Sequence, residues 1–281
     1  MVARRPRKHL GGPVQLARRG RNAARALLGL TLAASPTTSV AAVPGEDPGL
    51  RDPGRKELAM RLVSSAENSS LAWQEQYRYI EDIGDGRGYT AGIIGFCSGT
   101  GDMLELVERY SAVDPGNVLE KYLPALREVN GSDSHRGLGS RFVRDWQKAA
   151  RDREFKEAQN HERDRVYFDP ALRSAQQDGL GALGQFVYYD AMVMHGAGGR
   201  DGFDAIRRSA LAKAAPPSRG GDQGAYLHAF LDARRSTMKR EAAHEDTSRI
   251  DTAQRRFVRE GNFALRTPLV WQVYGDDFRV D

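Results

Sequence analysis

Two acidic residues in this sequence stand where acid–base chemistry could be done. Glu67 falls at the predicted C-terminal end of a helix, where the helix dipole disfavours the ionised carboxylate and so suits a general acid. Asp85 follows 18 residues later, between two glycines of a turn, where the backbone can approach a ligand closely. Taken singly, Glu67 is better explained as a solvated loop residue, and Asp85 as a residue that caps its own turn. The order of the surrounding secondary-structure elements favours a catalytic role for the two residues together.

The elements that must position this pair are a helix, a glycine-rich sheet and a second helix. Apolar residues with the 3–4 spacing of an amphipathic helix predict a helix over 56–65. Residues 77–101 contain seven glycines between short β-prone stretches, which predicts a small antiparallel sheet, and a helix over 103–112 follows. The strands are predicted near 77–80, 89–90 and 93–97. This order is typical of lysozyme-like proteins, in which two carboxylates face each other across a sugar-binding cleft.

The rest of the chain is predicted to be mostly helical, because apolar residues recur every three to four positions almost to its end. The further predicted helices cover 114–126, 142–159, 171–195, 203–213, 222–243 and 249–260. The fold class expected is therefore mainly α (α+β), with one small sheet near the start of the folded part.

The first 42 residues are predicted to be an export signal. They hold eight Lys and Arg residues, all at or before Arg25, and no Asp or Glu. An apolar run of nine residues over 26–34 follows, about half of what spans a bilayer, and small residues near 39–42 offer cleavage sites. Two Arg-Arg pairs leave Sec and twin-arginine export both open. Residues 43–54, rich in Pro, Gly and Asp, are predicted to be a linker, and 55–281 the folded domain.

Removing that signal reverses the sign of the net charge. The whole chain carries a formal charge of +5, but 34 basic and 37 acidic residues remain in 43–281, which gives −3. A mildly acidic body argues against a phosphate-binding protein, so no nucleic-acid partner is expected, and it permits a cationic ligand. No second apolar run approaches transmembrane length, so no membrane partner is expected for the mature form.

Neither the single cysteine nor the histidines suggest a catalytic or metal site. Cys97 lies in the apolar stretch 93–97 with no histidine within a few residues, so a buried, inert thiol is expected. The six histidines are scattered, with no pair at the spacing of metal ligands. No metal and no cofactor are therefore expected.

Several long motifs resemble those of the secreted actinobacterial chitosanases of glycoside hydrolase family 46. The matching segments are 62–70 (LVSSAENSS), 79–90 (YIEDIGDGRGYT), 92–102 (GIIGFCSGTGD), 160–170 (NHERDRVYFDP), 188–190 (YYD), 231–234 (LDAR) and 246–249 (DTSR). The resemblance covers about residues 50–275. It implies a two-lobed, mainly helical, lysozyme-like fold, with the small antiparallel sheet in the N-terminal lobe and the active-site cleft between the lobes.

The resemblance also implies an inverting endo-hydrolase that cleaves β-1,4 bonds between the D-glucosamine units of chitosan. Glu67 matches the general acid and Asp85 the general base, while Thr90 matches the residue that holds the attacking water with Asp85. An inverting enzyme needs its two carboxyls about 6.5–9.5 Å apart, which leaves room for that water. A carboxyl at a helix end and another in a neighbouring turn can stand at such a separation. A secreted monomer is expected.

Chitosan is polycationic in mildly acidic water, so acidic subsites are expected. Asp102 matches the family's amine-binding aspartate, although from the residues alone a favourable charge at the start of a helix explains it equally well. Glu81 and Glu241 match further acids of the cleft. The residues that would shape the cleft or bond sugar hydroxyls are Tyr79, Arg87, Thr100 and His195. For His195 alone, a structural histidine near a helix end is the better explanation.

A buried charge cluster is predicted around Asp190. This residue lies within the apolar stretch 186–193, where a lone carboxylate would be costly, so it needs a cationic partner. The resemblance supplies two, Arg234 and Arg249, and places the network behind Glu67, which it would orient. The alternative is an ion pair that joins the lobes and takes no part in catalysis.

Two other functions remain open from the sequence. A muramidase acting on peptidoglycan is one, although an acidic cleft with several candidate amine-binding carboxylates argues against it. A non-catalytic chitosan- or wall-binding protein is the other, and such proteins usually rely on exposed rows of aromatic residues. The three tryptophans, Trp73, Trp146 and Trp271, are isolated from one another and are expected in the core.

Overall fold

The computed structural model describes residues 47–240 and 246–281. The predicted signal peptide, residues 43–46 of the predicted linker and the predicted cleft acid Glu241 lie outside the described residues. Within the two described ranges, no helix is both long enough and apolar enough to cross a bilayer.

The described chain is mostly helical, with two small antiparallel sheets. The helices are α1 (Pro53–Asn68), α2 (Asp102–Val113), α3 (Leu123–Val129), α4 (Ser140–Ala149), α5 (Arg153–Arg163), α6 (Asp169–Gln177), α7 (Ala182–His195), α8 (Phe203–Leu211), α9 (Gln223–Met238) and α10 (Arg255–Arg259). The strands are β1 (Ile80–Asp82), β2 (Tyr89–Ala91), β3 (Phe96–Cys97), β4 (Leu269–Val273) and β5 (Asp276–Val280). Two π-helical turns, Asp164–Phe168 and Arg249–Gln254, lead into α6 and α10.

Helix α1, whose last turn carries Glu67, is fixed at both ends by its own sequence. The Asp52 carboxylate accepts a hydrogen bond from the Arg55 amide over 2.9 Å, which satisfies one of the free N–H groups of the first turn. Ser69, with φ 47°, ends the helix in the left-handed conformation. The helix predicted over 56–65 is therefore confirmed and extends at both ends.

The predicted linker is wrong over residues 49–54. A 3₁₀ turn at Gly49–Arg51 buries Leu50 completely, and the Leu50 amide donates to Gln185 Oε1 over 2.8 Å. Gly49, with φ 56°, allows the tight turn, and Pro53 begins the first turn of α1. Composition alone does not distinguish such a docked turn from a linker.

The sheet predicted near the start of the folded part is present. Strands β1, β2 and β3 pair antiparallel in that order, with Glu81 opposite Thr90 and Thr90 opposite Cys97. Gly92 follows β2 with φ 72°, and a Cβ there would meet Gln159 Oε1 at 2.5 Å, so this turn requires glycine. Asp85 lies in the connection between β1 and β2.

Two apolar cores define two lobes. The first core is built by α1, α6 to α10 and the C-terminal strands. The second is built by the three-stranded sheet and α2 to α5. A continuous helical segment of α5, the turn Asp164–Phe168 and α6 runs from the second core into the first. The predicted mainly α, two-lobed fold with a small sheet in one lobe is confirmed.

Several predicted element bounds differ from the structure. Only α3, preceded by a 3₁₀ turn, forms in place of the helix predicted over 114–126. The helix predicted over 142–159 divides into α4 and α5, and the one over 171–195 divides into α6 and α7 at Gly179, which has φ 74°. Apolar periodicity continues across both breaks, which is why periodicity did not reveal them. The hairpin of β4 and β5 was not predicted.

Candidate active site

A cleft lies between α1, α7 and the three-stranded sheet. Because α1 and α7 belong to the first lobe and the sheet to the second, this is a cleft between the lobes. Its apolar lining residues include Met60, Val63, Trp73, Ile94, Tyr189 and Val193. Its polar lining residues are Ser64, Glu67, Asn68, Gln76, Tyr79, Arg87, Thr90 and Arg163.

Glu67 lies in the last turn of α1 and lines this cleft, as the sequence predicted. Its side chain is 13% exposed, so the carboxyl is largely covered but still reaches the cleft. Arg249 Nη1 donates to Glu67 Oε1 over 2.5 Å. The C-terminal end of a helix carries a partial negative charge and cannot stabilise a carboxylate. The positive charge beside Glu67 therefore comes from the Arg249 guanidinium.

Asp85 lies between Gly84 and Gly86, whose φ values of 71° and 80° require glycine. Its Oδ1 accepts a hydrogen bond from the Arg87 amide over 3.1 Å, and its Oδ2 accepts one from Arg87 Nε over 2.7 Å. The Asp85 side chain is only 4% exposed, whereas Arg87 lines the cleft. Arg87 therefore covers and orients the carboxylate, which sequence reasoning did not anticipate.

Thr90, the third predicted catalytic residue, lies in the central strand of the sheet and lines the cleft. It is 2% exposed, and its Oγ1 is 3.5 Å from Cys97 Sγ on β3. Burial raises the pKa of the Cys97 thiol, and the nearby Asp102 charge adds to this effect. Cys97 is therefore a buried, neutral thiol, as expected.

Asp190 is the centre of the predicted buried charge cluster. It is 1% exposed on α7, and its Oδ2 accepts from Arg234 Nη1 over 2.6 Å. Its Oδ1 accepts from Arg249 Nη2 over 2.7 Å, and Arg249 is the same residue that binds Glu67. The structure thus brings together all four residues that the sequence placed in one network.

Burial alone would raise the pKa of Asp190. The charges and hydrogen bonds of Arg249 and Arg234 outweigh it and hold the pKa well below its usual range. Asp190 therefore remains an anion beside Arg249 at any pH at which the protein would work. The cluster balances two acids against two arginines.

Tyr79 immediately precedes β1, and Glu81 lies within that strand. Tyr79 lines the cleft, and its hydroxyl donates to Glu81 Oε2 over 3.2 Å. Burial and the neighbouring Glu81 charge raise the pKa of Tyr79, so its hydroxyl stays protonated and can donate. Glu81 itself is an exposed residue.

Asp102 begins α2 and is engaged with its own neighbourhood. Its Oδ1 accepts from the amides of Cys97 over 3.0 Å and Met103 over 3.2 Å. The Thr100 hydroxyl donates to the same oxygen over 2.5 Å. These contacts fit the interpretation of Asp102 as a charge at a helix start, and they tie α2 to β3.

His195 is 8% exposed at the end of α7, beside the charge cluster. Arg234 Nε donates to His195 Nε2 over 3.3 Å, which makes the ring nitrogen an acceptor. This placement agrees with the structural histidine that the sequence suggested when taken alone.

Two residues of the site were missed or misjudged from the sequence. Gln254 is 1% exposed, and its Nε2 donates to Asp190 Oδ2 over 2.5 Å. No local signal marks it, because its partner is 64 residues away. Trp73 was expected in the core with Trp146 and Trp271, but it is only partly buried and lines the cleft.

The fold and the cleft define the class of protein. A mainly helical pair of lobes holds a carboxyl at a helix end in one lobe and a second carboxylate in a glycine-rich sheet of the other, which is the arrangement of a lysozyme-like glycoside hydrolase. In residues 47–240 and 246–281, no group of three or more His, Cys, Asp and Glu side chains could hold a metal ion. The model of glycosyl hydrolase family 46 matches residues 61–269, and the chain belongs to that family.

Named relatives and solved structures agree with this membership. A chitosanase of Streptomyces sp. is 63% identical over 234 residues, which are 83% of this chain and 84% of the relative. A chitosanase of Bacillus subtilis is 37% identical over 227 residues, which are 76% of this chain and 80% of the relative. The co-crystal structure of chitosanase OU01 with substrate has a TM-score of 0.78 at 60% identity, covering 83% of this chain and 99% of that one. Native chitosanase from Bacillus subtilis MY002 has a TM-score of 0.73 at 34% identity, covering 82% and 99%.

Proposed function

We propose that this glycoside hydrolase is a secreted endo-chitosanase that cleaves β-1,4 bonds between D-glucosamine units with inversion of the anomeric carbon. Its similarity to several chitosanases, one of them crystallised with substrate, supports chitosan as the substrate. The observation that carries the mechanism is the placement of Glu67, a cleft-lining carboxyl fixed by Arg249. The sheet of the other lobe carries Thr90 in the cleft, and Asp85, in the connection between β1 and β2, is bonded by the cleft-lining Arg87.

Glu67 would be the general acid, giving its proton to the glycosidic oxygen as the bond to the leaving sugar breaks. Arg249, which donates to Glu67 Oε1, is itself anchored by Asp190. The network therefore holds the Glu67 carboxyl in a fixed position at the cleft.

Asp85 would be the general base. It would take a proton from a water molecule that attacks the anomeric carbon from the face opposite the leaving group, and Thr90 Oγ1 would help to hold that water. The two hydrogen bonds from Arg87 fix the direction of the Asp85 oxygens. One such displacement inverts the anomeric centre, and no covalent intermediate is needed.

The charge of the folded part suits a polycationic substrate. Residues 43–281 carry a net charge of −3. We assign Asp102, Glu81 and Glu241 to contacts with glucosamine ammonium groups. Tyr79, Arg87 and Thr100 are assigned to sugar hydroxyls. His195, because it contacts Arg234, is assigned to the support of the charge cluster.

Export by the predicted signal peptide would bring the mature enzyme to its polysaccharide outside the cell. We expect a monomer there, without nucleic-acid or membrane partners. Secretion can be checked by following the protein in the culture medium and sequencing its mature N-terminus, which we expect at residue 42 or 43.

Replacing Glu67 by Gln tests the central assignment. Gln retains an oxygen that can accept from Arg249 but has no proton to give, so hydrolysis of chitosan should fall at least a hundredfold while the melting temperature changes little. Glu108→Gln is a matched control, because Glu108 is also paired with an arginine, Arg127, over 2.8 Å but lies on the exposed face of α2. A Glu67→Gln variant that kept more than about a tenth of the wild-type rate, a loss below about 1.4 kcal/mol, would overturn the assignment.

The stereochemistry of the first products tests the mechanism separately. Anomer-resolved NMR on fresh digests should show the α-anomer released from β-linked chitosan. Retention of the β-configuration would exclude a single displacement by Asp85-activated water. Peptidoglycan assayed in parallel should not be cleaved, and its cleavage with chitosan left intact would support the muramidase instead.

A further inference from the structure

Gln254 joins the charge cluster behind Glu67 by two hydrogen bonds of opposite direction. Its Nε2 donates to Asp190 Oδ2 over 2.5 Å, and its Oε1 accepts from Arg234 Nη1 over 3.2 Å. A side-chain amide can do both at once, because it carries a donor and an acceptor on one rigid plane. Gln254 is therefore matched to a carboxylate and a guanidinium that are themselves paired over 2.6 Å.

The π-helical turn Arg249–Gln254 explains how this contact arises. In an α-helix, residues five positions apart point about 140° away from each other. A π-helix bonds residue i to residue i+5, so residues five apart come to the same side. Arg249 and Gln254 therefore both reach Asp190: Arg249 bonds both carboxylate oxygens, and Gln254 bonds Oδ2. Regular α-helix over the same residues would direct one of them elsewhere.

We propose that Gln254 is a positioning residue for Glu67, an inference that rests on the role proposed for Glu67 above. Asp190 is the anchor of Arg249, and Arg249 Nη1 is the group that binds Glu67 Oε1. Asp190 Oδ2 also accepts from Arg234 Nη1 and Arg249 Nε, and Gln254 adds a third donor to that oxygen. Because its Oε1 accepts from Arg234 at the same time, Gln254 restrains the carboxylate and the guanidinium together. Loss of that restraint would let Arg249 and the Glu67 carboxyl shift from the geometry needed for proton transfer.

Removal of the amide is the first test. Gln254→Leu keeps nearly the same volume but loses both hydrogen bonds, and we expect kcat on chitosan to fall about tenfold or more while KM changes less than twofold. The matched control is Gln185→Leu. Gln185 is 5% exposed, accepts from the Leu50 amide over 2.8 Å and donates to the Leu180 carbonyl over 3.1 Å, in the same lobe but without contact to the charge cluster. Both variants should have a lower melting temperature than the wild type. In assays below those melting temperatures, only Gln254→Leu should have a lower kcat.

A conservative variant gives a second readout. In Gln254→Glu the protonated carboxyl can copy the amide, donating its O–H to Asp190 and accepting from Arg234. As pH rises and this carboxyl ionises, it can no longer donate, and two carboxylates face each other. We therefore expect the kcat of Gln254→Glu to be close to that of the wild type at acidic pH. As pH rises, this kcat should fall through an ionisation that the wild type lacks.

The proposal is overturned if the kcat of Gln254→Leu lies within twofold of that of Gln185→Leu, or if the kcat–pH profile of Gln254→Glu runs parallel to that of the wild type. Failure of the proposed function has a different signature. In that case the wild type would not cleave chitosan, or Glu67→Gln would cleave it as fast, whatever the substitution at Gln254 does.

Discussion

The indole nitrogen of Trp271 donates a hydrogen bond to Ser65 Oγ over 2.9 Å. Trp271 lies in β4 of the C-terminal hairpin, and Ser65 lies in α1 two residues before Glu67. The Ser65 hydroxyl in turn donates a hydrogen bond to the Leu62 carbonyl, one turn earlier in α1, over 2.7 Å. A hairpin at the end of the chain thus supports the helix turn that carries the proposed acid.

We expect Trp271→Phe to lower the free energy of unfolding by about 1–3 kcal/mol, because it removes this buried hydrogen bond and leaves a void where the indole was. Urea unfolding of the wild type, Trp271→Phe, Ser65→Ala and the double variant measures the coupling between the two residues. A coupling energy of about 0.5–1.5 kcal/mol is expected. Strict additivity of the two single effects would contradict a direct contribution of the hydrogen bond.

The parts of the site that the sequence could predict are those with a local cause. Helix α1 follows from apolar residues at helical spacing, and the sheet follows from glycine turns between short β-prone stretches. Glu67 lies at the end of the first, and Asp85 lies within the second. The need of Asp190 for cationic partners also followed from its apolar neighbours, because a buried carboxylate cannot remain alone.

The parts that could not be predicted depend on contacts between distant segments. Gln254 meets Asp190 across 64 residues, and Trp271 meets Ser65 across 206. Nothing near Gln254 in the sequence indicates a π-helical turn. The C-terminal hairpin did leave a signal, since residues 269–273 (LVWQV) are rich in β-prone residues and precede a Tyr-Gly turn.

That turn carries a bulky residue in an unfavourable backbone conformation. Tyr274 and Gly275 have φ values of 53° and 86°, and a Tyr is rarely found in this region. We expect Tyr274→Asn to raise the free energy of unfolding by about 0.5–1 kcal/mol, because Asn tolerates the left-handed conformation better. Tyr274→Ala is the control, since it removes the ring and keeps the backbone cost. If the Asn variant were no more stable than the Ala variant, backbone strain would not be the cause.

The stability of the junction between α2 and α5 should depend on pH through Glu162. Its carboxylate, 5% exposed, accepts from Arg109 Nε over 2.6 Å and from Arg165 Nη2 over 2.6 Å. Burial alone would raise the pKa of Glu162, but the hydrogen bonds and charges of Arg165 and Arg109 outweigh it, so the pKa is lowered. A lowered pKa in the folded state means that this stabilisation is complete above the unfolded pKa of about 4.3 and is lost as pH falls below it.

We therefore expect Glu162→Gln to be less stable than the wild type by about 1–3 kcal/mol at pH 7. The difference should shrink steadily below about pH 4, as the wild-type carboxyl becomes protonated. Urea unfolding at a series of pH values measures it. The control Glu108→Gln, whose ion pair with Arg127 is largely exposed, should change stability by less than about 1 kcal/mol. A Glu162→Gln difference that stayed constant from pH 7 to pH 3 would show that the charge is not its origin.

The last prediction concerns Asp102, whose contacts support a structural role while its position in the family motif suggests a substrate contact. Asp102→Asn weakens the acceptor for the Cys97 and Met103 amides, so a stability loss of about 0.3–1 kcal/mol is expected in either case. If Asp102 also pairs with a glucosamine ammonium, kcat/KM on highly deacetylated chitosan should fall about ten- to a hundredfold, which corresponds to about 1.5–3 kcal/mol.

Chitosan of graded acetylation separates the two roles of Asp102, because an N-acetylated unit presents no ammonium. On partly acetylated polymer the loss in kcat/KM should be much smaller than on the deacetylated one. Asp222→Asn is the matched control, since Asp222 precedes helix α9 and likewise accepts from a first-turn amide, that of Ala225, over 2.8 Å, but lies outside the segments that resemble the family. Its substitution should affect both polymers equally and slightly. An equal fractional loss on both polymers for Asp102→Asn, with a lowered melting temperature, would remove Asp102 from the substrate site and leave recognition of the ammonium groups to Glu81 and Glu241.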